Sequence, residues 1–216
     1  MRHFALAITL SAFVACGTIA GAQEQPFSIG VGVTTLGPTI EGSYEITPQM
    51  SLRGIGVVSI EGEDSVTEDD TKYDYEYETG GFGVVADYYP DFGGLRLTGG
   101  LFKSNMSFGF EASASGAETI RVGDMTYTNV SVGGDMVFER DVAPLLAVGY
   151  TGMVGGWQLA GEVGALFIGG VDASFEQTGG SVTISEADLQ EQEESFEDDY
   201  GIGAYPYVGV SMTFLF

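Results

Sequence analysis

Histidine and cysteine, which carry much of nucleophilic, acid–base and zinc chemistry, are almost absent from the chain. His3 and Cys16 are the single examples, and both fall within the first 22 residues. There Arg2 precedes an apolar run and a small-x-small site ending at Ala22, which predicts a cleaved signal peptide over residues 1–22. The mature chain would then have no disulfide, thiolate nucleophile, imidazole base or Cys/His zinc site. We therefore predict a protein that is not an enzyme, with no catalytic residue and no cofactor.

A second interpretation of the start of the chain places lipoprotein cleavage just before Cys16. Residues 13–16 read Phe-Val-Ala-Cys, a loose lipobox with an atypical first residue. Under this interpretation the protein would be a lipid-anchored or periplasmic β-barrel that binds a ligand. Cleavage after Ala22 remains the preferred prediction.

Basic residues and long apolar runs are also scarce. Seven Lys and Arg residues stand against 31 Asp and Glu residues, giving a formal charge of −24 at pH 7. Nucleic acid is excluded as a partner, since phosphate binding requires a basic surface. After the signal peptide no run approaches the roughly 20 apolar residues of a transmembrane helix. Any membrane span must therefore be made of strands.

Strict alternation of apolar with small or polar residues marks the last stretch, residues 205–216. Its period of two is typical of a strand between lipid and a barrel interior. The stretch also resembles the C-terminal signal by which proteobacterial outer-membrane proteins are passed to the barrel-assembly machinery. The outward-facing residues that would form this assembly signal are Val208, Val210, Met212, Phe214 and Phe216.

Similar alternation recurs along residues 23–216, which we predict form one domain. Short connections near 48, 92 and 155 alternate with long ones near 66, 120 and 187, an arrangement that fits eight strands with short periplasmic turns. The predicted fold is all-β, an antiparallel up-and-down transmembrane β-barrel, with ten strands if residues 107–141 hold an extra hairpin. We predict a loop over 61–72, a seventh strand continuing to Asp172, and a short acidic helix over 185–199.

Five charged residues fall on the non-lipid face in this register. A barrel of eight strands is just wide enough to be filled by side chains, so buried charges must be paired. We predict a salt-bridged plug; a narrow polar pore is the alternative. The predicted interior charges are Glu41, Arg53, Asp87, Arg96 and Glu162.

Acidic residues concentrate in two of the long connections, predicted to be solvent-exposed loops. Hard carboxylates also suit divalent cations, which are therefore candidate partners, although the spacing matches no EF-hand. The acidic residues are Glu61, Glu63, Asp64, Glu68, Asp69 and Asp70 in the first connection and Glu186, Asp188, Glu191, Glu193, Glu194, Glu197, Asp198 and Asp199 in the last.

Residues 95–101, residues 143–150 and the closing strand together resemble small proteobacterial outer-membrane barrels of the OmpA-transmembrane and OmpW-like superfamily. The resemblance implies an integral protein of the Gram-negative outer membrane, in contact with outer-membrane lipid. It implies a structural or surface-interaction role, which we assign to the acidic loops. A narrow channel for small solutes or cations is the alternative function.

Overall fold

The computed structural model describes residues 26–68, 71–91, 93–200 and 203–215. The predicted signal peptide, Cys16, Asp69, Asp70 and Phe216 lie outside the described residues. The elements, in chain order, are β1 (Phe27–Thr34), β2 (Gly37–Thr47), β3 (Met50–Glu68), β4 (Thr71–Tyr88), β5 (Leu95–Ser104), β6 (Ser107–Val122), β7 (Met125–Phe138), β8 (Val142–Val154), β9 (Trp157–Leu166), β10 (Val171–Gly180), α1 (Glu186–Tyr200) and β11 (Tyr205–Leu215).

Eight of these strands form a closed antiparallel barrel, as predicted. The order of the strands around the barrel is β1, β2, β3, β4, β5, β8, β9 and β11, and β11 pairs with β1. Pairing of β4 with β5 closes the ring. Short turns join β2 to β3, β4 to β5 and β8 to β9 at one end, called here the short-turn end. In the described part of the chain no helix is long and apolar enough to cross a membrane.

The barrel wall follows the two-residue period of its sequence. Along β8, exposed and buried positions alternate without interruption from Val142 to Thr151. In β11, Val210 is 64% exposed whereas Tyr207 is 1% exposed. Trp157 and Phe214 pack together at the short-turn end, with ring centroids 5.1 Å apart. This apolar outer surface and the aromatic pair are the features that a barrel in a bilayer requires.

A second sheet branches from the barrel wall at β4. Residues 81–88 of β4, next to the short-turn end, pair with β5, whereas residues 72–78 of the same strand pair with β6. Strands β7 and β10 continue outward from β6, and residues 60–68 of β3 flank β4 on its other side. We call this sheet, formed by residues 60–68 and 71–79 with β6, β7 and β10, the side sheet.

Two predictions about residues of the side sheet are wrong. The predicted loop over 61–72 is strand on both sides of residues 69–70, because its alternating side chains extend the β3–β4 hairpin. The predicted seventh strand stops at Leu166: Gly169 has a φ of +87°, and Val171 and Asp172 belong to β10, which pairs with β7. The extra hairpin foreseen in residues 107–141 exists as β6 and β7, but it pairs with residues 72–78 of β4, outside the barrel.

The acidic helix forms where the sequence predicts it. The backbone N–H of Asp188 donates to Ser185 Oγ at 3.1 Å, so Ser185 caps the first turn of α1. The helix lies against the side sheet over an apolar cluster separate from the barrel interior. That cluster contains Val122, Val130, Val132 and Ile184, with Ile120, Tyr127, Phe175 and Leu189 packed at its margin.

Candidate functional site

The structure brings the five predicted interior charges together inside the barrel. Arg53, on β3, is 1% exposed and occupies the centre of the group. Its Nε donates to Asp87 Oδ2 at 2.8 Å and its Nη2 to Asp87 Oδ1 at 3.1 Å, a bidentate pair across neighbouring strands. The same guanidinium donates to Glu41 Oε2 at 3.1 Å and to both carboxylate oxygens of Glu162 at 3.0 and 3.1 Å. One cation thus ties together three carboxylates from β2, β4 and β9.

Arg96 supplies the second positive charge. Its Nη2 donates to Glu162 Oε2 at 2.7 Å, and its Nε lies 3.9 Å from Asp87 Oδ1. Two guanidiniums therefore serve three carboxylates, all buried. The contacts of 2.7–3.1 Å are short enough for charge-assisted hydrogen bonds, whereas Arg96 Nε, 3.9 Å from Asp87, has no hydrogen-bond partner among the described residues. Pairing of this quality is what offsets the cost of removing such charges from water.

Neutral hydroxyls complete the group and were missed by the sequence analysis. Thr98 Oγ1 donates to Asp87 Oδ1 at 2.6 Å, and Tyr207 Oη donates to Glu162 Oε1 at 3.1 Å. Thr39 Oγ1 lies 3.4 Å from Glu41 Oε1. In the alternation along each strand, these three residues fall on the same inward face as the charged residues. The sequence pattern could therefore have identified them. We call the eight residues the charge cluster: Thr39, Glu41, Arg53, Asp87, Arg96, Thr98, Glu162 and Tyr207.

Glycines in the barrel wall give the long charged side chains their room. Gly149 stands opposite both Arg96 and Glu162 in the strand register. A Cβ at position 149 would lie 3.1 Å from Glu162 Cβ and 3.4 Å from Arg96 Nε. Small residues on the interior face therefore accompany large charged ones in a barrel this narrow.

An apolar layer fills the interior on the side of the charge cluster away from the short-turn end. We call this layer, in which Tyr207 spans both groups, the apolar plug. Phe102, Leu145 and Leu166 are fully buried within it. Its buried members are Leu36, Ile55, Val57, Val85, Phe102, Ala143, Leu145, Ala147, Leu166, Ile168 and Tyr207.

A polar vestibule of about 310 Å³ lies on the opposite side of the charge cluster, at the short-turn end. Glu41, Arg53 and Arg96 contribute to its lining, together with Ser51 and turn residues such as Pro48. The vestibule therefore ends at the charge cluster, whose residues are each at most 5% exposed.

Apart from Asp69 and Asp70, which lie outside the described residues, the acidic residues assigned to loops belong to the side sheet and α1. Two of the helix carboxylates bond to the edge of the sheet: Glu193 Oε1 accepts from the Phe175 N–H at 2.8 Å, and Glu197 Oε1 from the Ala173 N–H at 3.1 Å. Tyr127 donates a hydrogen bond to Asp188, and this bond raises the pKa of the tyrosine phenol. Acidic side chains of α1 thus act as hydrogen-bond acceptors for the side sheet.

The described residues contain no group of three or more His, Cys, Asp or Glu side chains placed to hold a metal ion. Divalent-cation binding stays a prediction.

The fold is that of known outer-membrane β-barrels. The crystal structure of Acinetobacter baumannii CarO superposes with a TM-score of 0.60 and 19% identity, covering 89% of this chain and 98% of that one. The crystal structure of Acinetobacter baumannii CarO2 gives a TM-score of 0.61 and 20% identity, covering 90% of this chain and 100% of that one. No protein-family model and no curated protein matches the sequence. The chain therefore has the fold of an eight-stranded outer-membrane barrel similar to the CarO structures.

Proposed function

We propose that this protein is a non-enzymatic barrel of the Gram-negative outer membrane whose interior is closed and whose side sheet is its working surface. The observation that carries the proposal is the filling of the interior by two successive layers. In the charge cluster, the carboxylates accept hydrogen bonds from arginine and hydroxyl donors. The apolar plug fills the adjacent part of the barrel interior with buried side chains. A hydrated pathway would have to cross both layers.

Several features support the location. The outer wall is apolar, the short-turn end carries an aromatic pair, and the longest connections leave the opposite end. Outer-membrane lipid is the partner of that wall, and the barrel-assembly machinery is the partner of the predicted C-terminal signal. In this orientation the side sheet and α1 face the cell exterior.

Single-channel recording on the refolded mature protein tests the closed interior. Folding is first checked by the difference in gel mobility between unboiled and boiled samples. We expect a folded protein and a silent planar bilayer. Steady cation-selective steps that disappear in Asp87→Asn would overturn the proposal in favour of the channel alternative.

Cysteine labelling of intact cells tests the location and orientation independently. Residues 23–216 lack cysteine, so Ser181→Cys and Gln49→Cys each place one thiol at an exposed position, after β10 and in a short turn respectively. A membrane-impermeant maleimide should label the Ser181→Cys protein on whole cells and the Gln49→Cys protein only after lysis. The reverse pattern would refute the orientation.

A further inference from the structure

The vestibule at the short-turn end is surrounded by uncharged polar side chains from several strands. Ser28 of β1 is paired with Ser43 of β2, and Thr213 of β11 is paired with Gln158 of β9. The uncharged polar residues of the lining are Ser28, Ser43, Thr47, Ser51, Gln158 and Thr213. The volume of about 310 Å³ falls at the lower end of the range of about 300–1,000 Å³ that is typical of small-molecule sites. The barrel therefore has a cavity lined by hydrogen-bonding groups at this end.

Two buried polar atoms of the vestibule lining lack a hydrogen-bond partner. Of the three such atoms among the described residues, Ser51 Oγ and Arg96 Nε belong to side chains that line the vestibule. Ser51 is only 6% exposed and Arg96 only 4%. Buried polar groups are nearly always paired, and an unpaired one is unfavourable. A molecule held in the vestibule can supply the missing partners.

The charges around the vestibule argue against an ionic ligand. Glu41 and Glu45 line it together with Arg53 and Arg96, and the charge cluster holds three carboxylates against two guanidiniums. An anion would therefore meet a surplus of negative charge. Arg96 Nε is a donor only, and neither a metal ion nor an ammonium group has a lone pair to accept its hydrogen bond. The described residues also contain no metal-binding group. A neutral ligand fits these conditions best.

Hydroxyl groups match both kinds of polar atom in the lining. A hydroxyl accepts a hydrogen bond from a donor such as Arg96 Nε and at the same time donates one to a carboxylate. Glu41 Oε1 is available for this, since its contact in the charge cluster is a long one of 3.4 Å to Thr39 Oγ1. Apolar side chains provide surface for the C–H groups of the same molecule, and they are Pro26, Pro48, Pro90 and Leu95.

We propose that the vestibule is a binding site for a small neutral polyhydroxylated molecule of monosaccharide size, with Ser51 and Arg96 as donors at its inner end. The volume of about 310 Å³ equals that of about ten water molecules at about 30 Å³ each, which sets the size of the ligand. In the proposed orientation the short-turn end faces the periplasm, so the ligand enters from that compartment. Binding ends at the charge cluster and requires no passage through the barrel.

An NMR titration with glucose tests the binding site. The ¹⁵N-labelled mature protein is folded in a zwitterionic detergent without a sugar headgroup, and we expect saturable shifts of the backbone amides that line the vestibule. Ser43→Ala combined with Ser51→Ala should bind glucose at least about fivefold more weakly, because hydrogen bonds to the ligand are lost. Ser174→Ala is the matched control, at an exposed position of β10 in the side sheet, and should leave the affinity unchanged.

Two charged probes test the choice of a neutral ligand. Gluconate adds a carboxylate to a polyol, and tetramethylammonium is a cation without hydroxyl groups. Each should bind at least about tenfold more weakly than glucose, a difference that the same titration measures. Binding of either probe as tightly as glucose would overturn the proposal.

The stability of Ser51→Ala separates a ligand-binding role from a structural one. Because Ser51 Oγ has no partner among the described residues, its removal should not lower the urea unfolding midpoint in the absence of glucose. A lowered midpoint, an absence of saturable shifts in the unaltered protein, or equal weakening in Ser174→Ala would each refute the site. Conductance is measured separately: a conducting barrel would overturn the closed interior and leave glucose binding intact, whereas absent binding would leave the bilayer silent.

Discussion

The charge cluster and the side sheet hold carboxylates under opposite conditions. Inside the barrel, Asp87 and Glu162 are almost fully buried and receive several hydrogen bonds from Arg53. On the side sheet, Glu63 and Glu76 face each other across two strands and are both exposed. Burial leaves a carboxylate no partner except another protein group, whereas water and salt screen exposed ones. A carboxylate without a protein partner is therefore tolerated only where solvent or another molecule can reach it.

The largest expected effect is in the barrel interior. Arg53→Ala leaves three buried carboxylates without their shared donor and should lower the free energy of unfolding by about 3–5 kcal/mol, as breaking a buried ion pair does. Urea unfolding followed by heat-dependent gel mobility measures it, and Arg96→Ala should show a smaller loss. Lys72→Ala is the control: its side chain is 58% exposed, so its loss should cost less than about 1 kcal/mol. An unchanged midpoint for Arg53→Ala would break the comparison.

The edge of the side sheet should respond next. Glu193→Ala combined with Glu197→Ala removes the acceptors of the Phe175 and Ala173 amides, each hydrogen bond being worth about 1–2 kcal/mol. Hydrogen exchange at these two amides should quicken while the barrel's unfolding midpoint stays fixed. Glu194→Ala, at an exposed position of the same helix, should leave both rates unchanged. A loss of barrel stability in the double variant would contradict the separation of the two regions.

Glu41→Gln sharpens the comparison within the charge cluster. Three carboxylates surround two guanidiniums, so removing the charge of Glu41 balances the group, at the expense of one 3.1 Å bond to Arg53. The expected loss in the free energy of unfolding is below about 1 kcal/mol. Asp87→Asn, which disrupts a bidentate pair, should cost clearly more. Equal losses in urea unfolding would show that the excess charge does not matter.

The smallest expected effect is alkaline loosening of α1. The hydrogen bond to Asp188 raises the pKa of Tyr127, so the folded state favours the protonated phenol. The stabilisation is present below the ordinary tyrosine value of about 10 and is lost as the pH rises through the raised pKa. Helical circular dichroism should therefore fall at high pH in the unaltered protein. Tyr127→Phe should lack this hydrogen-bond-linked step, and an identical profile in both proteins would argue against it.

Local patterns predicted the barrel wall and the placement of its charges. Period-two alternation separated outward Val208 and Val210 from inward Tyr207, and the same parity turned Arg53 and Asp87 inward. Residues 61–72 were wrongly predicted to form a loop, because their acidic composition suggested solvent exposure and the pairing of β3 with β4 could not be seen in the local sequence. The hydrogen bond from Tyr207 to Glu162 joins residues 45 positions apart, a distance at which local pattern gives no partner.

The sequence by itself determined a strand-built, acidic protein with one inward and one outward face per strand, because side-chain direction follows from residue parity alone. It also determined α1, because Ser185 and the residues after it form a local capping pattern. Only the tertiary structure decided that β4 changes partner from β5 to β6 and that β10 joins β7. Backbone hydrogen bonds are the same whatever the side chains of the two strands, so they do not specify the partner of a strand. The partner is therefore set by how strands that are distant in the sequence pack together. The carboxylates on one side of the side sheet are brought together by that pairing, which aligns acidic residues from five separate strands.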